Sequence, residues 1–352
     1  MKFTEKAQLL RSLLGHSLDE FLQVCKDFPH GHPDKKKEGH SWYDLHGHTN
    51  RSDGILGPIG KMLFAIYATE LDGLAFTDHN NMDAYDVANN FLHSRACKKL
   101  FERKPNPKPH FKILRGIEVS SENDVHILGI GIDRGEIPRG MSWKETTDRI
   151  HQLNGLALAP HPFASFPGIE DFRGVGYGFL DPQYGFDGVE TRNASLINIF
   201  YNAFVAKLNR ESEHPLAEYG GSDSHWPGSE GFCCTGFPGK GFTDLKKAFA
   251  ENKTYAVGHV ESVFDFALGP LRYYRFYNEV KDIAEFKNLL RNPMEMYEPV
   301  FEFLYRNLQR EVQYRFHGRK VPTKSRFFPP KPEDFENGII LNSQDKPYEK
   351  NK

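Results

Sequence analysis

Three things are scarce in this chain of 352 residues. Cysteine is the first. Four cysteines cannot build a disulfide framework in a chain of this size, and the adjacent Cys233 and Cys234 read as buried small apolar residues rather than a redox pair. Charge of one sign is the second. A formal net charge of −2 excludes whole-molecule attraction to nucleic acid or membranes. Long apolar runs are the third. Lys2, Glu5, Lys6 and Arg11 interrupt the first residues, and no stretch reaches the length of a membrane span. These absences predict a soluble, cytoplasmic protein with no membrane partner. What is present suffices for a core: 39% hydrophobic and 13% aromatic residues, enough for one large α/β domain or two medium ones.

Residues 1–28 carry leucines at helical spacing, and "PHGHPDKKKEGH" (29–40) reads as an exposed linker. From residue 42 short apolar runs alternate with helical patterns. "WYDLH" precedes 58–71, "GLAFTDH" precedes 83–103, and "FKILRGIEVSS" and "DVHILGIGI" precede 142–153. "GLALAPHP" and "FDGVETRN" precede 194–210, and "LAEYGGSDSH" and a helix at 243–251 lead to "TYAVG". Such alternation predicts a mostly parallel sheet, open or closed into a barrel. After about residue 260 the rhythm stops. Residues 279–317 are largely helical in pattern, and "VPTKSRFFPPKPEDFENG" forms a proline-rich tail. The expected division is therefore 1–40, 41–260 and 261–352.

Sixteen histidines is a high count, and their neighbours sort them. The predicted strand ends carry His46 and His48, then His79, Glu118, His126, His161, and finally Asp223 with His225. Parallel α/β folds build their sites at such ends. Residues i and i+2 on a strand face the same side, so His46 and His48 aim at one point, as do Asp223 and His225. Imidazole and carboxylate suit Zn, Mn or Fe, and the lack of thiolate argues against a zinc knuckle. Asp53 lies in a glycine-containing loop that can fold back over the first pair. His30 and His32 repeat the His-Gly-His triplet, but in the linker, with no strand to aim them. His93, His110, His151, His214, His259 and His317 lack metal-ligand neighbours and are not predicted as ligands.

In chain order, "DLHGHT…SDG", "TDHN", "GIEVSS", "HILG", "PHP" and "GGSDSH" resemble the polymerase and histidinol phosphatase (PHP) superfamily of metal-dependent phosphoesterases, over roughly residues 42–258. The first motif looks like the branch that includes nucleoside bisphosphate phosphatases and 5′→3′ exonucleases. The resemblance implies a distorted seven-stranded (β/α) barrel with up to three divalent metals at the strand ends. It implies that His46, His48, Glu118 and Asp223 hold one metal. Glu118 would bridge to a second, completed by His126 and His161, and Asp53, His79 and His225 would hold a third. Three features depart from the pattern: Asn80 follows "TDH" where aspartate is common, the segment from His79 to Glu118 carries an extra helical stretch, and only 34 residues separate His126 from His161.

The implied reaction is hydrolysis of a phosphate ester, of a small molecule or nucleotide, by a metal-bridging hydroxide held by Glu118, Asp223 and His225. Arg51 and Arg192 are candidate phosphate contacts. A second reading is a nucleic-acid-processing protein. Residues 301–328 interleave Phe301, Phe303, Tyr305, Tyr314 and Phe316 with basic residues, a mix that can stack bases and hold phosphates. A third is a metal-stabilised domain without catalysis.

Overall fold

The computed structural model describes residues 35–258 and 263–292, apart from 167–168, 196–197, 199–200, 288 and 291. The predicted N-terminal helices, His30 and His32, the proline-rich tail and the basic-aromatic stretch 301–328 lie outside the described residues. No described helix is long and apolar enough to cross a membrane.

Eleven strands are described: β1 (His40–Asp44), β2 (Gly73–Phe76), β3 (Lys112–Ser120), β4 (His126–Ile130), β5 (Leu156–Ala159), β6 (Ser165–Phe166), β7 (Ile169–Arg173), β8 (Gly188–Asn193), β9 (Ala217–Gly221), β10 (Cys233–Pro238) and β11 (Tyr255–Gly258). Around them run helices α1 (Pro58–Ala68), α2 (Asp83–Leu92), α3 (Arg95–Arg103), α4 (Trp143–Gln152), α5 (Asn202–Glu211), α6 (Phe242–Ala250), α7 (Val263–Val280) and α8 (Ala284–Lys287). The segment expected as one helix over 83–103 divides because Ser94 caps a new one, its hydroxyl accepting from Cys97 N at 3.1 Å.

The sheet corrects two expectations. It has nine strands in the order β11-β10-β1-β2-β3-β4-β5-β8-β9, where the resemblance implies seven. Nor is it mostly parallel. Four of its ladders are parallel (β1–β2, β2–β3, β5–β8, β8–β9) and four antiparallel (β10–β11, β10–β1, β3–β4, β4–β5). Between β3 and β4 the chain has only residues 121–125, too few for the crossover that a parallel pair requires. β10 and β11 then add an antiparallel pair beside β1. "CCTGFP" lacks the alternation that marks a half-buried strand, which hides β10 in the sequence. Its two cysteines are buried, as expected.

The sheet curls until its far edges meet. Thr235 on β10 exchanges hydrogen bonds with Gly220 on β9, and the Thr254 hydroxyl donates to Glu218 O at 2.7 Å. Inside lies a cluster of apolar side chains, among them Tyr43, Leu45, Leu128, Leu158 and Phe237, with Leu245 and Phe249 of α6 packed into it. Outside, α1, α2, α3 and α7 share a core with Trp42, Leu74 and Phe76, and Phe64 meets Phe276 edge-on at 5.4 Å between ring centres. A second outer layer joins α4 to β3, β4 and β5.

Helix α4 begins with a capping box at Ser142 and Glu145. At its other end His151 Nε2 donates at 2.9 Å to Asp187 Oδ2, which also accepts from Ala157 N. That bond raises the His151 pKa above 6.5. A raised pKa means the contribution is whole below about pH 6.5 and fades as pH climbs through the folded value. Thermal midpoints taken from pH 6 to 9 should therefore fall less steeply in His151→Ala than in the parent protein. The pair is partly solvated, so the difference should stay within about 1 kcal/mol.

Candidate metal centre

Two short peptides form the base of the site, and they are stitched together. His-Gly-His (46–48) follows β1, and Asp-Ser-His (223–225) follows β9. Asp223 N donates to His46 O at 2.8 Å and His48 N to Ser224 O at 3.1 Å. Two glycines allow this approach. A Cβ on Gly221 would lie 2.4 Å from His46 Cβ, and one on Gly47 would lie 2.9 Å from Lys61 Cε. Asp223 and His161 adopt left-handed backbone, with φ of 50° and 24°. Such residues cost about 1–3 kcal/mol each and persist where their surroundings over-determine them. His161 N is held by Glu190 Oε2 at 2.7 Å.

The predicted residues converge. His46 Nε2 and His48 Nε2 stand 3.4 and 3.2 Å from Glu118 Oε2, and the same distances from Asp223 Oδ1. A tetrahedral ion with bonds of about 2.0–2.1 Å has donor atoms ~3.3–3.4 Å apart. The four nitrogen–oxygen distances here, 3.2–3.4 Å, are close to that spacing. On the other side of the carboxylate, Glu118 Oε1 lies 3.0 Å from His126 Nδ1 and 3.0 Å from His161 Nε2. A third cluster sits at the mouth: Asp53 Oδ2 lies 3.0 Å from His225 Nε2 and 3.5 Å from His79 Nε2. His79 joins it to the first, its Nδ1 being 3.3 Å from Glu118 Oε2. His46, His48 and Glu118 are buried, while Asp53 is half exposed, so the third cluster faces solvent.

The donor set fits divalent cations on a separate ground. His46 Nε2, both ring nitrogens of His48 and Glu118 Oε2 are buried and make no hydrogen bond among the described residues. Buried polar atoms are nearly always satisfied, and a cation is the partner that imidazole lone pairs and a carboxylate oxygen share. Without a cation, protons take its part. Burial opposes charge on His46, but the carboxylates of Asp223, Glu190 and Glu118 outweigh it and raise its pKa well above 6.5. His79, likewise opposed by burial, is pushed up to about 9 by Glu118 and Asp53. His48 moves the other way, because burial and the neighbouring His225 disfavour its charge. Burial works against the charged forms of Glu118 and Asp223 too. The imidazoles around them, His126 and His46 foremost, still hold both far below the usual carboxylate range.

The sequence pattern, eight strand-end residues and Asp53 from its loop, named these nine residues and overlooked their supports. Glu190, on β8, is buried and accepts from His46 Nδ1 at 3.1 Å. An ionised carboxylate can only accept, so the bond fixes the Nδ1–H tautomer and leaves Nε2 aimed at the cluster. Asn193 Nδ2 bridges Glu190 Oε2 and Asp223 Oδ2. Asp78, from "TDH", accepts from Thr49 N and from the Ser52 hydroxyl, which shapes the loop bearing Asp53. Asp44 accepts from Ser222 N and Gly231 N on either side of the Asp-Ser-His peptide. Glu190 carried a weaker signal, an acid inside the predicted strand "FDGVETRN" rather than at its end. Glu190→Gln should weaken metal affinity about 10–100-fold, read by competition with a chromophoric chelator.

The other candidates separate. Arg51 is exposed in the loop before Asp53 and forms no ion pair among the described residues. Arg192 instead directs its guanidinium to the Gly258 carbonyl. His93 and His151, set aside as non-ligands, bond to Asn89 O and Asp187.

No protein-family model matches the chain. An uncharacterised protein of Methanocaldococcus jannaschii is 26% identical over 186 residues, which is 48% of this chain and 94% of that one. Among solved structures, a two-domain protein from Bacteroides vulgatus containing a predicted PHP-like metal-dependent phosphoesterase is similar at 17% identity and a TM-score of 0.47. That match covers 65% of this chain and 68% of the other. The lesion-specific endonuclease Endonuclease Q from Pyrococcus furiosus is similar at 17% identity and a TM-score of 0.37, over 60% of this chain and 56% of its own. Structural neighbours thus include PHP-like phosphoesterases. Each is a likeness; the chemistry rests on the side chains described above.

Proposed function

We propose that this chain is a metal-dependent phosphoesterase of PHP type, holding up to three divalent ions (Zn, Mn or Fe) and hydrolysing a phosphate ester. One observation carries the reading. Glu118 presents one oxygen to His46, His48 and His79 and the other to His126 and His161, so a single buried carboxylate joins two donor clusters. Ions bound there supply Lewis acidity and lower the pKa of water from ~15.7 to about 7.

The chain's own groups do the rest. Asp53, Glu118 and Asp223 bring three negative charges against the six of three divalent ions, so the loaded site stays positive and suits a phosphate dianion. His79 and His225 line the solvent-facing cluster, where an ester can approach. Arg51 stands in the same loop as Asp53 with its guanidinium unpaired among the described residues, a natural contact for the phosphate.

Chelator-treated protein reloaded with Zn, Mn or Fe and offered 4-nitrophenyl phosphate and its bis-ester tests this reading. Hydrolysis that depends on metal and disappears in His46→Ala is expected, with Arg51→Ala raising KM more than it lowers kcat. Preference for the monoester supports a small phosphorylated substrate; preference for the diester supports a nucleic-acid strand. Full metal binding without hydrolysis of either ester defeats the enzymatic reading.

A further inference from the structure

Lys61 is the one charged residue in the otherwise uncharged helix α1, and it is only 2% exposed. None of the metal-binding roles above uses it. Its ammonium donates to Ser224 O at 3.1 Å and to the Ser224 hydroxyl, and faces Glu230 Oε1 at 3.5 Å. Glu230 is equally buried, and its other oxygen accepts from Gly228 N at 2.8 Å. The lysine stem also lies against the peptide of Gly47, where an added Cβ would meet Cε at 2.9 Å and Nζ at 3.1 Å.

The two peptides it touches are the centres of the two ligand pairs. Gly47 separates His46 from His48, and Ser224 separates Asp223 from His225. The Ser224 carbonyl accepts from both Lys61 and His48 N, so one oxygen ties the lysine to both segments. Ligands at i and i+2 swing together when the peptide between them rotates. A donor that pins that peptide therefore sets four donor atoms at once. Burying an ion pair for stability alone is a poor choice, since apolar residues of similar volume usually serve as well or better.

We infer that Lys61 is a positioning residue for the metal centre: through the Ser224 peptide it fixes the register between His46/His48 and Asp223/His225, and Glu230 holds its ammonium in place. This rests on the metal-binding reading above, though not on the identity of any substrate.

The test is calorimetric titration of Zn²⁺ into full-length, chelator-treated protein, alongside the thermal midpoint of the metal-free form. Lys61→Met/Glu230→Gln removes the charge pair together and keeps an acceptor for Gly228 N. Its metal-free midpoint should stay within a few degrees of the parent, while its affinity for the ion of the His46/His48 cluster falls about 10–100-fold. Ser224→Ala, which deletes only the hydroxyl partner, should weaken the same ion several-fold, and it decides the matter alone if the double variant does not fold. Parental Zn²⁺ affinity in the folded variants overturns the role of Lys61 and leaves the metal centre standing. A parent protein that takes up no Zn²⁺ overturns both.

Discussion

Glu118→Gln should strip at least two of the bound ions from each chain and lower phosphate-ester hydrolysis by more than about a hundredfold. That exceeds the usual cost of losing a group that merely supports a ligand. The expectation follows from where the two oxygens stand. Oε2 lies 3.2–3.4 Å from donors on His46, His48 and His79, and Oε1 lies 3.0 Å from donors on His126 and His161. Glutamine keeps the volume but removes the charge, and one of its two terminal atoms becomes a donor that faces imidazole nitrogens. His225→Ala offers the contrast. It should disturb the solvent-facing cluster, where His225 meets Asp53, and spare the inner ones. Metal content measured after gel filtration distinguishes the two. A Glu118→Gln protein with its full complement of metal would show that this carboxylate does not join the clusters.

Chelation should lower the thermal midpoint by about 8 °C or more, and the loss should reverse when Zn or Mn is restored. A site held at a free ion concentration of ~1,000 Kd stabilises the folded state by about 4 kcal/mol, and each kcal/mol moves the midpoint of a domain this large by roughly 2 °C or somewhat more. The metal-free protein should nevertheless stay folded. Its buried carboxylates are matched by protonated imidazoles, as the raised pKa of His46 and His79 shows. Protons and ions compete for the same lone pairs, so the metal-dependent gain should shrink as the solution is made more acid. Scanning calorimetry with and without chelator at two pH values measures both effects. A midpoint indifferent to chelation in a protein shown to have lost its metal would mean that the ions add nothing to stability.

Sequence and structure divide this protein along a physical line. His46 with His48, and Asp223 with His225, were legible because the two-residue period of an extended chain places i and i+2 on one face. His79, Glu118, His126 and His161 were legible because strand ends are where a barrel gathers its polar groups, and Asp53 because its loop can fold back over the first pair. The alternation of short apolar runs with helical spacing likewise gave the α/β class. None of this required knowing which strand lies beside which. The supports of the site did require it. Glu190 meets His46 across 144 positions, Lys61 meets Ser224 across 163, and Asp44 meets Ser222 across 178. Such pairings are created when the sheet curls and the peptide after β9 comes to lie beside the one after β1, and no local period announces them. The same holds for the count and direction of the strands, since pairing depends on connection length and edge contacts rather than on the strand's own residues. The sequence by itself determined which histidines and acids gather as candidate metal donors, because their spacing and local conformation bring them to one end of the barrel. Only the tertiary structure decided what aims them, because a buried carboxylate or lysine acquires its role from the neighbour that closure of the sheet puts against it.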